Sequence, residues 1–280
     1  KWNWGAFSFP MWFGIANRAY LGLLILIGLI PWIGWIFGIV WMIVFGFNGE
    51  KWALENIFCP SCGGIISDYE NNKPVADFYC GNCAEDYELK SKKDKIGKKI
   101  VDGAYSTMIE RLQSDSNPNF FFLNYDKNSL NISNFIVIPK HFFTPEIIEK
   151  RKPLSSTAKR AGWIGCNILL ETIPQSGKIF YIKDSKVQSK NEIVDNWNKT
   201  IFLKENKNLD SRSWILDIIK CIEKMNKKDF LLSEIYQFEN YLKSKHPNNN
   251  NIQAKIRQQL QVLRDKEFLE FSSRGKYKLR

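Results

Sequence analysis

The amino-acid sequence predicts an α/β (α+β) domain with an embedded metal site, followed by a smaller, mainly helical domain that ends in a β-hairpin. Three observations support this fold class. Short β-rich runs alternate with helical stretches in the middle of the chain, and two Cys-x-x-Cys pairs lie among them. The C-terminal part repeats apolar residues at helical spacing. The first fifty residues are different again, because they contain a long, uncharged apolar run.

The chain is strongly basic. Its 280 residues carry a formal net charge of +11, and the pI is about 9.2. Such a balance is compatible with a polyanion or an anionic membrane surface as a partner, and an ordinary solvated surface is the alternative. The sequence has two histidines, His141 and His246, which argues against a histidine-rich metal site or a histidine-based catalytic triad.

Residues 1–50 are predicted to be a membrane segment. No charged side chain lies between Arg18 and Glu50, where the sequence reads LGLLILIGLIPWIGWIFGIVWMIVFGF. A helix that spans a bilayer needs about 20 apolar residues, and this run is long enough. Pro31 leaves two topologies open: one tilted transmembrane helix over Leu29–Phe47, or a re-entrant hairpin with both ends on one side.

Residues 51–203 have the composition of a mixed α/β domain. Short runs rich in β-branched and aromatic residues alternate there with turn residues. Residues 204–210, KENKNLD, are polar and are predicted to be a linker. The predicted strands include Phe120–Tyr125, Phe135–Pro139 and Ile179–Ile182.

Residues 211–280 are predicted to form a winged-helix domain. Three stretches carry apolar residues at helical spacing, and two β-like stretches follow them. Three helices and a hairpin in that order are typical of a winged helix. The predicted helices are Ser211–Met225, Leu231–Ser244 and Ile252–Lys266, and the predicted hairpin strands are Phe268–Ser272 and Lys276–Leu279.

The two Cys-x-x-Cys pairs predict a structural zinc site. Each pair can form a tight turn that supplies two thiolates to a tetrahedral ion, and seventeen residues separate the pairs. Two disulfides are the alternative. A basic chain with two further cysteines is more typical of the reducing cytosol. A zinc ion with four thiolate ligands has no position left for water, so its role would be structural. The predicted Zn²⁺ ligands are Cys59, Cys62, Cys80 and Cys83.

Carboxylates on either side of the second cysteine pair suggest a catalytic site. Alternation across Val75–Tyr79 and Tyr87–Lys90 predicts two strands with the cysteine turn between them. Glu88 and Lys90 then share one face, and Asp77 on the partner strand can face them. This is the arrangement of PD-(D/E)xK nucleases. There, two carboxylates hold Mg²⁺, and the lysine orients or deprotonates the attacking water. The alternative is a solvated strand face.

Several motifs resemble the DpnI-type, Dam-replacing family of restriction endonucleases. They run in order from Cys59 to the end, over about four fifths of the chain. The chain departs from the family at its N-terminus, where the apolar segment replaces a soluble helical lead-in. The matching segments are CPSCGG, ENNKPVADFYCGNC, YELKSKK, DGAYSTMIERLQSDSNPNFFFL, RKPLSSTAKRAGWIGCNI, KIRQQLQVLRDKEFLEF and RGKY.

This resemblance implies a PD-(D/E)xK catalytic domain with a structural zinc, followed by a winged helix. It also implies cleavage of GATC only when the adenine is N6-methylated. By the same resemblance, Asp77, Glu88 and Lys90 are the catalytic residues and the four cysteines hold the zinc.

The third predicted helix and the wing are the expected DNA contacts of the C-terminal domain. Eight basic and three acidic residues lie between Lys255 and Arg280. Glutamine can pair with the edge of adenine in the major groove, and lysine or arginine can bind phosphates. An ordinary basic surface is the alternative. The predicted contacts are Lys255, Arg257, Gln258, Gln259, Arg274 and Lys276.

Reading an N6-methyl group requires an apolar wall, for which Trp163 is the candidate in the catalytic domain. Glycines flank the segment around it and would let a loop approach a groove closely. Lys159 and Arg160 would bind phosphates nearby. The alternative is that Trp163 is a core aromatic. Burial of one methyl group contributes about 0.8 kcal/mol, so strong methyl dependence predicts a reading site in each domain.

The sequence thus predicts a Mg²⁺-dependent, methyl-directed type II endonuclease that acts as a monomer on double-stranded DNA. We expect it to be membrane-associated, with both globular domains in the cytoplasm of a bacterial cell. An alternative is a membrane-tethered winged-helix regulator whose nuclease domain is inactive. The full set of Asp77, Glu88 and Lys90 favours the enzyme. A zinc-ribbon membrane protein without a nucleic-acid role would leave the basic C-terminal helix unexplained.

Overall fold

The computed structural model describes residues 57–70, 76–93, 97–114, 117–126, 132–206 and 208–280. The membrane segment predicted over residues 1–50 lies outside these ranges. Within them, no helix combines the length and the apolar character needed to cross a bilayer.

The described residues form thirteen strands and seven α-helices, with short 3-10 turns between some of them. The strands are β1 (Ile66–Asp68), β2 (Phe78–Cys80), β3 (Asp86–Lys93), β4 (Lys99–Ala104), β5 (Asn119–Tyr125), β6 (Ile132–Ile138), β7 (Ile148–Lys150), β8 (Gly165–Leu169), β9 (Ile179–Lys183), β10 (Lys186–Val187), β11 (Asp229–Leu231), β12 (Leu269–Ser273) and β13 (Lys276–Leu279). The helices are α1 (Tyr105–Gln113), α2 (Lys190–Asn198), α3 (Phe202–Glu205), α4 (Leu209–Lys224), α5 (Leu232–Tyr236), α6 (Glu239–Lys245) and α7 (Ile252–Asp265).

The first of two compact units is built on a seven-stranded sheet in the order β1-β2-β3-β5-β6-β9-β10 among the described residues. Strand β3 is antiparallel to β2 and parallel to β5. Strand β5 begins NFFFL, and its three phenylalanines are buried, which fits a central strand covered on both faces. The three strands predicted from β-rich runs are confirmed as β5, β6 and β9, and all their ends agree with the prediction to within three residues.

Aromatic packing forms the core of this unit. The ring of Phe121 stacks on Tyr87 at 4.7 Å between centroids and contacts Phe135 at 5.2 Å. Tyr181 closes the cluster at 5.1 Å from Phe135, and its hydroxyl donates to the carbonyl of Phe58 at 2.6 Å. The segment before β1 is thereby attached to β9.

The second unit contains a three-stranded sheet in the order β4-β8-β7, the helix α1 and the C-terminal helices. This division does not follow the predicted linker at residues 204–210. Within the predicted linker, α3 ends at Glu205 and α4 begins at Leu209. Asn208 accepts a hydrogen bond from the backbone N–H of Ser211, so a residue type common in loops here caps a helix.

The helix–helix–helix–hairpin order predicted for the C-terminal domain is confirmed, with two differences. The stretch predicted as one helix over Leu231–Ser244 is two helices, α5 and α6, interrupted at Gln237 and Phe238. Strand β11 was not predicted, because three residues are too few to show a period. It pairs with β13, giving a three-stranded sheet in the order β11-β13-β12.

Candidate active site and metal centre

Two turns with the same backbone pattern hold the four predicted zinc ligands. In the first, the N–H of Gly63 donates to Cys59 O at 2.7 Å; in the second, the N–H of Ala84 donates to Cys80 O at 2.9 Å. The fourth residue after the first cysteine has positive φ in both, +71° at Gly63 and +56° at Ala84. This conformation turns the chain so that both cysteines of a pair point to one place.

The four Sγ atoms of Cys59, Cys62, Cys80 and Cys83 lie within 4.8 Å of one another. Two of the Sγ–Sγ distances are 3.5 Å, from Cys59 to Cys83, and 3.6 Å, from Cys62 to Cys80. Both are too long for a disulfide, in which the sulfurs are about 2.05 Å apart. Ligands at about 2.3 Å from a tetrahedral zinc are about 3.8 Å from each other, so the thiols fit that ion.

The thiols differ in their readiness to ionise. Burial raises the pKa of the Cys59 and Cys83 thiols. Burial acts in the same direction on Cys62, but hydrogen bonds with Asn82 and with the backbone of Gly64 outweigh it and lower the pKa of that thiol to about 7. The Cys62 thiol therefore loses its proton more readily than those of Cys59 and Cys83, for which a cation nearby would favour the thiolate.

The second cysteine turn, Cys80–Cys83, connects β2 to β3, as the sequence predicted. Phe78 pairs with Tyr87 and Tyr79 with Asp86, and Asp77 donates its N–H to Tyr87 O at 2.8 Å. Val75, the first residue of the predicted strand, lies outside the described residues. The turn thus fixes which residue of β2 meets which residue of β3.

This hairpin brings the three predicted catalytic residues together. The Asp77 carboxylate accepts a hydrogen bond from the N–H of Leu89 at 2.7 Å, between Glu88 and Lys90 in the chain. Lys90 Nζ donates to Glu88 Oε1 at 2.6 Å. The Glu88 and Lys90 side chains are only 15% and 24% exposed, which disfavours the alternative of a solvated strand face.

Sequence reasoning missed a buried polar pair beside this site. Glu85 is 3% exposed and Asn119 is fully buried. The amide of Asn119, on β5, donates to Glu85 Oε2 at 2.9 Å and to Asp86 O at 2.9 Å. Because Asn119 is the register partner of Tyr87, the pair attaches the start of β3 to β5. Thirty-four residues separate Glu85 and Asn119, so no local motif could have indicated the contact.

Trp163 lies at the base of an exposed loop in the second unit. Its N–H bonds to Arg160 O at 3.0 Å, and its carbonyl accepts from Leu154 N at 2.9 Å. The half-buried indole packs on Gly165, where an added Cβ would lie 2.8 Å from the ring. The Arg160 guanidinium lies 4.8 Å from the ring centroid, and Lys159 is exposed. The indole is therefore at the border of the core and is not fully buried.

The structure corrects one predicted contact of helix α7. Gln259 is 2% exposed and lies on the same face as the buried Ile256, Leu260 and Leu263. The prediction placed Gln259 on the solvent-exposed face of the helix because glutamine is a polar residue. The residues of α7 exposed to solvent are Gln253, Ala254, Arg257, Gln258, Gln261, Arg264 and Asp265.

The other predicted contacts of this domain differ in their surroundings. Arg257 donates to the Tyr236 hydroxyl at 2.6 Å, and Lys255 Nζ lies 5.8 Å from the centroid of the Trp214 ring. Arg274, in the turn between β12 and β13, and Lys276, the first residue of β13, are both exposed. Gly275 in that turn has φ +73°, and its carbonyl accepts from Leu232 N at 2.8 Å, so the wing is attached to α5.

Two family models match the chain. The model of DpnI, the Dam-replacing family, matches residues 47–206, which is more than half of the 280 residues. The model of the Dam-replacing HTH domain matches residues 210–279. Both matches agree with the resemblance carried by the sequence motifs.

Proposed function

The chain belongs to the DpnI-type, Dam-replacing family, and on that premise we propose that it cuts double-stranded DNA at GATC sites that carry N6-methyladenine. The family implies a methylation-dependent restriction endonuclease with a DNA-binding HTH domain. The observation that carries the proposal is the meeting of Asp77, Glu88 and Lys90 on the β2–β3 hairpin.

In this proposal the carboxylates of Asp77 and Glu88 bind Mg²⁺. Their oxygen atoms are the hard ligands that this ion prefers. When bound, the ion stabilises the negative charge that develops on the scissile phosphate. Lys90 holds a positive charge beside them, 2.6 Å from Glu88, where it can orient the attacking water and neutralise the phosphate.

Methyl recognition is assigned to two places. Trp163 offers an apolar ring at the base of an exposed loop, with Lys159 and Arg160 beside it to bind phosphates. One buried methyl group contributes about 0.8 kcal/mol, a factor of about 4 in affinity. A second reading site in the winged helix would multiply that factor. The residues proposed to contact DNA there are Lys255, Arg257, Gln258, Arg274 and Lys276.

We also propose that residues 1–50 hold the enzyme at a membrane, with both domains in the cytoplasm. The support is the uncharged apolar run between Arg18 and Glu50. Extraction of the full chain from cell membranes by salt or alkali, without detergent, would contradict the tether. We propose that the protein binds DNA as a monomer. The mass of its complex with one duplex would test this.

The first experiment is digestion of plasmids by the purified full chain with Mg²⁺. One plasmid is adenine-methylated at GATC and the other is unmethylated. We expect cleavage of the methylated plasmid alone and no cleavage by Asp77→Ala. If the chain binds both plasmids and cuts neither, the membrane-tethered DNA-binding regulator replaces the enzyme.

A further inference from the structure

The side chain of Tyr87 connects strand β3 to the first cysteine turn, within the first compact unit. Its hydroxyl oxygen lies 3.0 Å from the Sγ atom of Cys59, a residue 28 positions earlier in the chain. Both residues are 0% exposed, so bulk water does not compete for either partner. The contact is therefore a buried hydrogen bond between a strand of the central sheet and a predicted metal ligand.

The core holds the Tyr87 ring in place. The ring stacks on Phe121 of β5, with 4.7 Å between the centroids and 16° between the planes. The backbone of Tyr87 pairs with Phe78 of β2 on one side and with Asn119 of β5 on the other. The position of the hydroxyl is thus set by the sheet, and not by the cysteine turn that it contacts.

Metal binding decides the direction of this hydrogen bond. A cysteine binds zinc as a thiolate, which has no proton to donate. In the metal-bound protein the Tyr87 hydroxyl is therefore the donor and the Cys59 sulfur is the acceptor. Burial of a charged sulfur away from water is unfavourable, and a hydrogen bond to that sulfur offsets part of the cost.

The hydrogen bonds to another sulfur of the cluster come from the turns themselves. Cys62 is bonded by the side chain of Asn82, in the second cysteine turn, and by the backbone of Gly64. Tyr87 differs from these groups because it belongs to a central strand and to the aromatic core. Its hydroxyl is a contact through which the sheet reaches the metal ligands directly.

Tyr87 also lies next to the proposed catalytic residues. It precedes Glu88 in β3, so the two side chains project from opposite faces of the strand. The Tyr87 carbonyl accepts a hydrogen bond from the N–H of Asp77 at 2.8 Å, and the Asp77 carboxylate accepts one from the N–H of Leu89 at 2.7 Å. One face of this part of β3 thus contacts the cysteine cluster, and the other presents the catalytic side chains.

We propose that the Tyr87 hydroxyl donates a hydrogen bond to the metal-bound thiolate of Cys59 and thereby holds the first cysteine turn against the strand that carries Glu88 and Lys90. Tyr87 is then a positioning residue that strengthens zinc binding and links the metal to β3. This inference rests on the proposed zinc site and not on the cleavage of DNA, so its test measures metal binding.

The first arm of the test replaces zinc by cobalt(II) in the full chain, because cobalt bound by thiolates absorbs light through charge transfer from sulfur. Tyr87→Phe keeps the ring that stacks on Phe121 and removes only the hydroxyl. Since a hydrogen bond stabilises the sulfur electrons, its loss should move the charge-transfer band to longer wavelength. Competition with a chelator should show a zinc affinity that is about 10–100-fold weaker.

The matched control is Tyr181→Phe. Tyr181 is buried in the same aromatic cluster, and its hydroxyl donates to the carbonyl of Phe58, the residue before Cys59, at 2.6 Å. This variant also loses one buried hydroxyl and one contact of the same segment, but it leaves the bond to the Cys59 sulfur intact. Its charge-transfer band should stay at the wavelength of the parent chain.

The second arm measures hydrogen exchange in the two cysteine turns at saturating zinc. The N–H of Gly63 bonds to Cys59 O in the first turn, and the N–H of Ala84 bonds to Cys80 O in the second. Tyr87→Phe should accelerate exchange at Gly63 and leave Ala84 unchanged, because the second turn is continuous with β2 and β3. A general loss of stability would accelerate both.

If Tyr87→Phe does not fold, cadmium NMR of the parent chain replaces it. The Tyr87 hydroxyl proton should then exchange slowly with solvent and show a coupling to cadmium through the Cys59 sulfur. A hydroxyl proton that exchanges rapidly and shows no coupling would contradict the hydrogen bond.

Three further outcomes would overturn the proposal, and they are distinguishable. A parent chain that binds neither zinc nor cobalt would remove the zinc site together with this inference. A parent chain that binds one metal, with the same spectrum and affinity in Tyr87→Phe, would remove only the role of Tyr87. Equal changes in Tyr87→Phe and Tyr181→Phe would assign the effect to loosening of the segment and not to the bond to sulfur.

Discussion

The cysteine hairpin and the winged helix show two different ways of holding a functional surface. The cysteine hairpin comprises the β2–β3 hairpin together with β1 and the two cysteine turns. Its strands have three, three and eight residues, and four thiols meet at its centre. The winged helix is held by apolar side chains of α4 and α7, among them Ile218, Ile222, Ile256 and Leu260, all fully buried.

This difference indicates what each region depends on. Structural zinc contributes on the order of 10 kcal/mol to small zinc domains, so a short hairpin can be rigid with little core of its own. Each buried leucine or isoleucine contributes about 1.5–3 kcal/mol, so the winged helix distributes its stability over many residues. Loss of the metal alone should therefore unfold the hairpin. In the winged helix, each substitution of a buried apolar residue should lower the free energy of unfolding by only part of its total.

The largest expected effect is that of zinc removal. We expect one zinc per chain, and a strong chelator should abolish hydrogen-exchange protection of β1 to β3 while α4 and α7 stay protected. Cys83→Ala should lose the metal, whereas the control Cys166→Ala, at a buried cysteine outside the cluster, should retain it. Equal loss of protection in both regions would show that the winged helix also depends on the metal.

Next in size is the effect of Glu88→Gln on cleavage. Removal of one charged ligand should lower the rate on methylated DNA about a thousandfold, because several kcal/mol of transition-state stabilisation are lost. DNA affinity and zinc content should not change. Glu192→Gln, at an exposed glutamate of the same compact unit, is the matched control. Cleavage at the parent rate would remove Glu88 from the site.

Leu260→Ala tests the apolar core of the winged helix. Leu260 is fully buried, so its truncation should lower the free energy of unfolding of that domain by about 2–5 kcal/mol. Zinc content should stay at one per chain. Gln261→Ala, at the exposed next residue, should change stability little. Urea unfolding, followed by a signal from the winged helix, would measure the free energy of unfolding of both variants. Equal losses of this free energy would mean that the burial of α7 is misassigned.

Substitutions at two neighbouring glutamines of α7 test DNA contact and core packing separately. Gln258 is exposed on α7, and its change to alanine should weaken specific binding by about 1–3 kcal/mol if it reads a base. Gln259 is buried, so Gln259→Ala should alter unfolding and leave base preference unchanged. Competition with duplexes altered at single base pairs distinguishes the two; a shift of preference in Gln259→Ala would contradict the burial.

The smallest expected effect is a difference in stability between variants of the two cysteine turns. Ala84 has φ +56°, which is unfavourable for a residue with a Cβ, so Ala84→Gly should stabilise the hairpin by up to about 1 kcal/mol. Gly63→Ala should do the opposite, since φ is +71° and the new Cβ would lie 2.9 Å from Lys190 Cε. Zinc affinity by competition with a chelator measures both. Similar affinities for the two variants would mean that the turns tolerate either residue.

Local patterns predicted much of the fold. The spacing of Cys80 and Cys83 within an alternating sequence was enough to predict the β2–β3 hairpin, because a turn and its two strands are adjacent in the chain. Helices α4 and α7 followed from apolar periodicity. The three-residue β11 and the break between α5 and α6 did not, since neither leaves a period long enough to recognise.

The sequence by itself determined the cysteine turns, the order Asp77, Glu88, Lys90 and the three-helix order of the C-terminal domain, because each depends on residues close together in the chain. Only the tertiary structure decided that Asn119 meets Glu85 and that Gln259 faces the core. These depend on which distant surfaces pack together. A polar residue becomes buried when its neighbours on a helix or strand are buried, whatever its own preference.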